Sequence, residues 1–454
     1  MSDDELLDRL SRALARAGGD AELSFHGSRS GTTRFAGSRV TQTGDVIDKV
    51  VQARVADGRR VGAARVNAVD DATLDAALAR ARALAASLPA SDFDGFDDGR
   101  APLLPHAEAF DGATADVDAA ARAALIAPAF DACARAGVTA AGLCAAGVTT
   151  LAVATTAGAR RLHRYTRARF DLIASDANGK ASGRRSRDAR AFSLVAADHA
   201  ALVDDVVARA VRSRDPAPLA PGEYDVVLEP HAVAELLEWL ALTSFGARAV
   251  EDGSSALAGR RGETITGALT MYDDALGGED GCPTAPFDAE GTPRRRVTFV
   301  DAGVAGEVVH DRSSAAQAGA RSTGHAPPIG DDLFDGGPIP QHLMLAPGDA
   351  TVDELIGRVE RGLLVSRFHY VNGLLDTRRA LMTGMTRDGL WRIENGRVAG
   401  PAANQRWTES FLDAGRRVDG AAGISRERQL IAGGLSECWF VCPTILVRGW
   451  KFSG

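Results

Sequence analysis

The stretch EPHAVAELLEWL, running from Glu229 to Leu240, sets His231 and Glu235 four residues apart. On a helix that spacing puts both side chains on one face, as many zinc enzymes place two of their ligands. A catalytic zinc also needs a third protein donor and an open position. Here spacing supplies no third donor. Cys438 and Cys442 are separated by three residues without a second pair, and His163, His310, His325, His342 and His369 are scattered. Pro230 marks a helix start, so His231 falls in the first turn, where the positive end of the helix dipole opposes a proton or a metal. The ordinary alternative is a partly exposed first-turn histidine with Glu235 on the solvent side. His310 and Asp311, adjacent at a strand end, are a further candidate pair.

Other catalytic signatures are missing: the chain contains no HExxH, GxSxG or P-loop, and NGKAS at 178–182 lacks the residues that would bind phosphate and magnesium. A denser constellation lies downstream. Arg367, Tyr370, Arg387, Glu394, Asn395, Asn404 and Arg406 fall on adjacent predicted strands and turns. Alternating polar and aromatic side chains on strands can line a groove for an extended peptide, or they can form a solvated sheet face. The residues alone leave these two readings open.

The elements that would position these groups are legible from periodicity. Leu6, Leu7, Leu10, Leu14 and Ala17 predict a helix over 3–17 that ends at Gly18-Gly19. Residues 21–66 alternate or run with β-branched side chains between Gly and Asp-Gly breaks, which predicts antiparallel hairpins. Asp70 or Asp71 caps a helix carrying Leu74, Leu78, Ala81, Leu84 and Leu88, stopped by Pro89. Helical patterns near 116–136 and 192–213 flank strands at 139–155 and 160–175. Pro216, Pro218, Pro221 and Gly222 then punctuate the chain. The division predicted is an N-terminal α+β domain at 1–215, a Pro-rich linker at 216–222 and a β-rich C-terminal domain with few helices at 223–454. In the last, Thr351 and Glu354 form a capping box, Asp301-Ala302-Gly303 is a turn, and Asn395-Gly396 closes a hairpin.

Composition narrows the function. With 454 residues, 45% hydrophobic and 25% charged, the chain has the profile of a globular protein long enough for two cores. A net charge of −8 argues against nucleic-acid binding, which is built on neutralising phosphates. The basic runs Arg184-Arg185-Ser186-Arg187 and Arg294-Arg295-Arg296 therefore read as solvated strand ends. The acidic N-terminus lacks the features of a signal peptide, and no apolar run spans a bilayer, so a cytoplasmic location is expected. The five cysteines read as free thiols.

The segment ERGLLVSRFHYVNGLLDTRRALMTGMTRDGLWRIENGRVAGP resembles the hallmark C-terminal region of the TldD/PmbA family, also called TldD/TldE or "modulator of DNA gyrase" proteins. DAEGTPRRRVTFVDAGVAGEVVHDRSSAAQAGARSTGHA and the N-terminal hairpin region are similar to it as well, so the likeness covers nearly the whole chain. The resemblance implies a cytoplasmic zinc peptidase system in which a TldD-type subunit pairs with a PmbA/TldE-type subunit. Such systems degrade unfolded or short peptides and trim leaders from ribosomally made peptide natural products. It also implies HExxxH on the opening helix of the second domain of the TldD-type subunit, plus a cysteine near the C-terminus. Matching the strand YDVVLEP places that motif at Glu238, Trp239 and Thr243, with no histidine at either ligand position. The cysteine's Cys-Gly-Lys context is absent too. The chain thus resembles the PmbA/TldE-type subunit. It is expected to have no catalytic residue, metal or cofactor of its own, a zinc-bearing TldD-type partner, peptide substrates, and no nucleic-acid or membrane partner. Two alternatives stand beside this: an autonomous metallohydrolase using His231 and Glu235, and a non-catalytic protein-binding regulator.

Overall fold

Alternation of small and β-branched residues after the first helix produces long hairpins. The computed structural model describes residues 3–329, 337–435 and 437–453. Its first sheet holds β1 (Asp20–Ala36), β2 (Arg39–Asp57), β3 (Arg60–Val66), β4 (Thr139–Thr155), β5 (Arg160–Ser175) and β6 (Ser182–Ala189). They pair antiparallel in the order β3-β2-β1-β4-β5-β6. The helices of this half are α1 (Asp3–Ala17), α2 (Asp71–Ala85), α3 (Gly112–Ala115), α4 (Ala119–Arg135), α5 (Phe192–Ala197) and α6 (His199–Arg212).

The apolar stripe of α1, Leu6, Leu10, Ala13 and Leu14, packs with Leu74, Ala77, Leu78 and Ala81 of α2 against Leu23, Val51 and Ala152 of the sheet. A second core joins α4 and α6 to Phe35, Phe170 and Leu172. Asp70 caps α2 by accepting from the Thr73 N–H, and the helix stops at Ala85, short of Pro89. The helical pattern at 192–213 divides into two helices at Asp198.

The second sheet contains β7 (Gly222–Leu228), β8 (Met271–Asp273), β9 (Val297–Asp301), β10 (Val304–Ala305), β11 (His342–Leu345) and β12 (Arg361–Asp376). It continues with β13 (Leu381–Glu394), β14 (Arg397–Pro401), β15 (Arg406–Ser410), β16 (Ile424–Ala432) and β17 (Trp439–Phe452). The pairings β17–β15, β15–β13, β13–β12, β12–β7 and β7–β17 return to their starting strand, so these five close into a ring. Phe368, Trp407 and Trp450, from β12, β15 and β17, are buried and in ring contact. The capping box at Thr351 and Glu354 and the turn at Asn395-Gly396 are formed as the residue types require.

Helix α7 (Pro230–Thr243) packs on β12 and β17 and is buried on nearly every side. Its Ala232, Val233, Leu236, Leu237 and Leu240 belong to the largest core cluster of the protein. All five cysteines are buried and none forms a disulfide, Cys133 and Cys144 in the first half and Cys282, Cys438 and Cys442 in the second.

Strand β6 is absent from the sequence expectation because it is written in arginines. Arg184, Arg185 and Arg187 keep only 14–22% of their side chains exposed and are paired with Asp171, Asp205, Glu229 and Asp198. The run is a charged strand facing acids, which corrects the reading of a solvated strand end. Arg294 is likewise 3% exposed.

Candidate functional site

Helix α7 is fixed at its start by charge. Glu229 occupies the N-cap and receives Arg185 Nη2 at 2.6 Å and both terminal nitrogens of Arg209 at 2.9 Å. Burial alone would raise its carboxyl, but the two guanidinium groups outweigh that and hold it at about 2. Because Arg185 lies on β6 and Arg209 on α6, this carboxylate ties the helix of the second half to the first.

His231 is 5% exposed, which corrects the expectation of a partly exposed side chain. Its Nε2 accepts from the Ser186 N–H at 3.4 Å and lies 2.9 Å from Ser186 Oγ. Burial, with Arg185 and Arg184 adding, keeps its pKa well below the ordinary value, so the ring is neutral. Glu235 does not face solvent either. It is half-buried in a cavity of about 70 Å³ whose lining includes Arg169, Arg184, Ser186, His231 and Glu238. Burial pushes its carboxyl up to about 7, against Arg367 and reinforced by Glu238. The nearest guanidinium atom, Arg367 Nη1, is 3.9 Å away.

One turn on stands Glu238, 5% exposed. Its Oε1 accepts the backbone N–H groups of Gly434 and Leu435, each at 2.8 Å. These belong to the loop between β16 and β17, so the carboxylate clamps that loop onto the helix. Trp239 lies over Gly373 of β12, where an added Cβ would sit 2.7 Å from the ring. Thr243 donates its hydroxyl to the Trp239 carbonyl at 2.7 Å.

These three side chains do not fit a zinc ion. The indole of Trp239 offers no ligand atom, Thr243 bonds its own helix, and Oε1 of Glu238 is occupied by two amides. Cys438 donates to the Pro340 carbonyl, with Sγ 3.4 Å away, and burial pushes the Cys442 thiol pKa up, which disfavours the thiolate a metal would need. Among the described residues no group of three His, Cys, Asp or Glu side chains is arranged to hold a metal ion.

Of the seven groove residues, the structure brings some together and separates others. Arg367 and Arg387 are cross-strand neighbours on β12 and β13, with Arg367 Nε 2.6 Å from Asp388 Oδ2. Tyr370 is 83% exposed at a positive φ of 52°. Asn404 takes the Thr386 hydroxyl at 3.2 Å, and Arg406 pairs with Met385, so both flank the same stretch of β13. Glu394 and Asn395 lie at the other end of the strand, opposite Arg361, roughly 20 Å away at strand rise.

The network on β5 and β6 escapes the sequence reading. Asp171 accepts from Arg184 at 3.0 and 2.6 Å and from Arg169 at 3.0 Å, and these guanidinium groups overcome its burial to hold it at about 2. A signal exists: Arg169, Asp171 and Asp188, Ser186, Arg184 alternate along paired strands with opposite charge. His325, one of the scattered histidines, is fully buried with Nε2 3.0 Å from Asp273 Oδ1. His310 N–H bonds Thr323, while Asp311 caps a short helix, so this pair forms no common site.

Comparison with known proteins places this architecture. A family model described as PmbA/TldA metallopeptidase C-terminal domain matches residues 221–454, and PmbA/TldA metallopeptidase domain 1 matches residues 21–85. A metalloprotease of Methanothermobacter thermautotrophicus is 27% identical over 222 residues, 48% of this chain and 47% of its own length. An uncharacterized protein of Methanocaldococcus jannaschii is 34% identical over 103 residues, 22% of this chain and 24% of its own. The matches thus span about half of the first relative and about a quarter of the second. Among solved structures, a protein of Thermotoga maritima described as a modulator of a DNA gyrase superposes with TM-score 0.85 at 19% identity, covering 100% of both chains. TldE of Thermococcus kodakarensis gives 0.83 at 17%, covering 99% of this chain and 100% of its own. At these identities the likeness is one of fold.

Proposed function

The chain belongs to the PmbA/TldA metallopeptidase family, and from that premise we propose that it is a subunit without zinc of its own, working beside a zinc-bearing TldD-type partner. In this reading it supports the partner and lines the path of unfolded or short peptides, in the cytoplasm. The observation that carries the reading is Glu238. At the position the resemblance assigns to the first histidine ligand, its carboxylate oxygen is occupied by the Gly434 and Leu435 amides. A helix turn that could hold an ion serves here to fasten a loop.

His231 and Glu235, the rival pair, contribute in other ways. The imidazole accepts from Ser186 and is neutral, while Glu235 faces Arg367. The test is co-expression with a family member that carries HExxxH, followed by peptide-cleavage assays on the copurified complex and on each chain alone. Cleavage is expected from the complex. Chelator-sensitive cleavage by this chain alone, lost in His231→Ala, would overturn the proposal in favour of an autonomous hydrolase. Capture of topoisomerase without a peptidase partner would favour the regulator reading.

A further inference from the structure

Arg294 presents a hydrogen-bonding problem that the described residues do not solve. It is 3% exposed, and the only hydrogen bond of its guanidinium among the described residues is from Nη2 to the Gln341 side-chain oxygen, which leaves Nε and Nη1 buried without an acceptor. A guanidinium cannot escape by losing its proton. Its neighbouring acids are committed elsewhere. Asp273 uses Oδ1 on His325 and Oδ2 on the His342 N–H. Asp288 accepts the N–H groups of Glu290 and Thr292 at Oδ1 and of Ala326 at Oδ2. Burial, with Glu290 adding, also pushes the Asp288 carboxyl pKa up, which reduces the counter-charge it can offer. Asp273 and Asp288 stand near enough to act on the charge, but two buried guanidinium nitrogens without acceptors are costly, so an anion that accepts from them would be strongly held.

The surroundings define what that anion carries. Arg294 lines a cavity of about 50 Å³ between the first sheet and the second half, walled by Phe25, Leu151, Val153, Phe287 and Trp439. Tyr165, Glu437 and Trp439 also line an adjoining cavity of about 310 Å³. Asp288 and Glu437 also line it, the first taken up by backbone N–H groups and the second 3.3 Å from Arg167 Nη1, so Arg294 beside these apolar walls, with room beyond, selects a small anionic head on an apolar body.

We propose that Arg294 heads a binding site for a carboxylate bearing an apolar substituent, whose remainder passes Tyr165 and Trp439 into the larger cavity. Two sources share this chemistry: the free C-terminus of a peptide ending in an apolar residue, and a free apolar carboxylic acid. The site belongs to this chain alone and needs neither zinc nor a partner, so its failure would leave the two-subunit proposal untouched.

The experiment is calorimetric titration of the purified full chain with N-acetyl-leucine, N-acetyl-leucinamide, 4-methylpentanoate and acetate. N-acetyl-leucine is expected to bind at least about ten-fold more tightly than the amide, because the amide leaves the guanidinium unpaired. Preference for N-acetyl-leucine over 4-methylpentanoate supports the peptide terminus as source, and the reverse order supports the free acid. Arg294→Met should abolish the preference for carboxylate over amide and leave the melting temperature undiminished, since it removes two buried nitrogens that have no acceptor. Leu151→Phe, which narrows the cavity without touching Arg294, should weaken N-acetyl-leucine binding. Equal affinity for acid and amide, no saturable binding, or binding by acetate as tight as by N-acetyl-leucine would overturn the proposal. So would a large fall in melting temperature in Arg294→Met, which would make the guanidinium a structural element.

Discussion

Two groups of buried arginines behave in opposite ways. On β6 and α6, Arg184, Arg185 and Arg209 each meet a carboxylate at 2.6–2.9 Å, and every one of those contacts joins separate elements. Arg294 is more deeply buried than any of them yet has no carboxylate within salt-bridge reach among the described residues. Arg184 and Arg185 look like Arg294 in sequence, as members of short basic runs. The difference is what stands opposite: a carboxylate in contact joins elements of the fold, whereas the Arg294 guanidinium keeps two nitrogens without an acceptor.

The sharpest way to break this comparison is to unmatch the first group. Glu229→Ala leaves Arg185 and Arg209 buried without their acceptor and should cost about 3–5 kcal/mol in urea unfolding. If Glu229→Ala were nearly neutral, the matched network would not be structural. Next in size is Glu238→Ala, which strands the Gly434 and Leu435 amides and should cost about 1–3 kcal/mol, with faster hydrogen exchange at those two positions. Glu238→Gln, which keeps an acceptor oxygen, should recover part of the loss.

Glu235 sharpens the contrast through pH. Its carboxyl is raised to about 7, so the folded state holds a proton that the unfolded chain releases earlier. The stability it contributes is complete below the ordinary glutamate range and is lost as pH rises through about 7. Glu229, held at about 2, does the reverse: its contribution is present above the ordinary range and disappears in acid. Glu235→Gln should therefore flatten the decline in stability between pH 4.5 and about 7 and leave the acid limb unchanged, as read by denaturant midpoints across pH. The smallest effect is expected at Glu394, half-exposed beside Arg392, where Ala should change stability by less than about 0.5 kcal/mol.

Much of the fold was legible because apolar periodicity and turn chemistry act locally. The stripe of α1, the Asp70 cap, the Thr351 capping box and the Asn395-Gly396 turn all form as read. What escaped was long-range. The charge alternation that joins Arg184 to Asp171 becomes readable only once β5 and β6 are paired in register, and first-turn placement of His231 gave no hint that β6 would cover it. Burial of a polar residue depends on what folds over it, and local pattern carries no record of that. Arg367 and Glu394 share a predicted surface, yet Glu394 stands at the open end of the hairpin opposite Arg361 while Arg367 lies mid-strand opposite Arg387, because spacing along a sequence does not reveal distance along a strand.

The five cysteines give the molecule a built-in chemical clock. Each thiol is enclosed and none is in a disulfide, so an alkylating reagent can reach it only when the surrounding core opens. Labelling at Cys133 and Cys144 would time the opening of the first half, and labelling at Cys282, Cys438 and Cys442 that of the second. Mass spectrometry of the tryptic peptides could then tell whether the halves let go together or in turn.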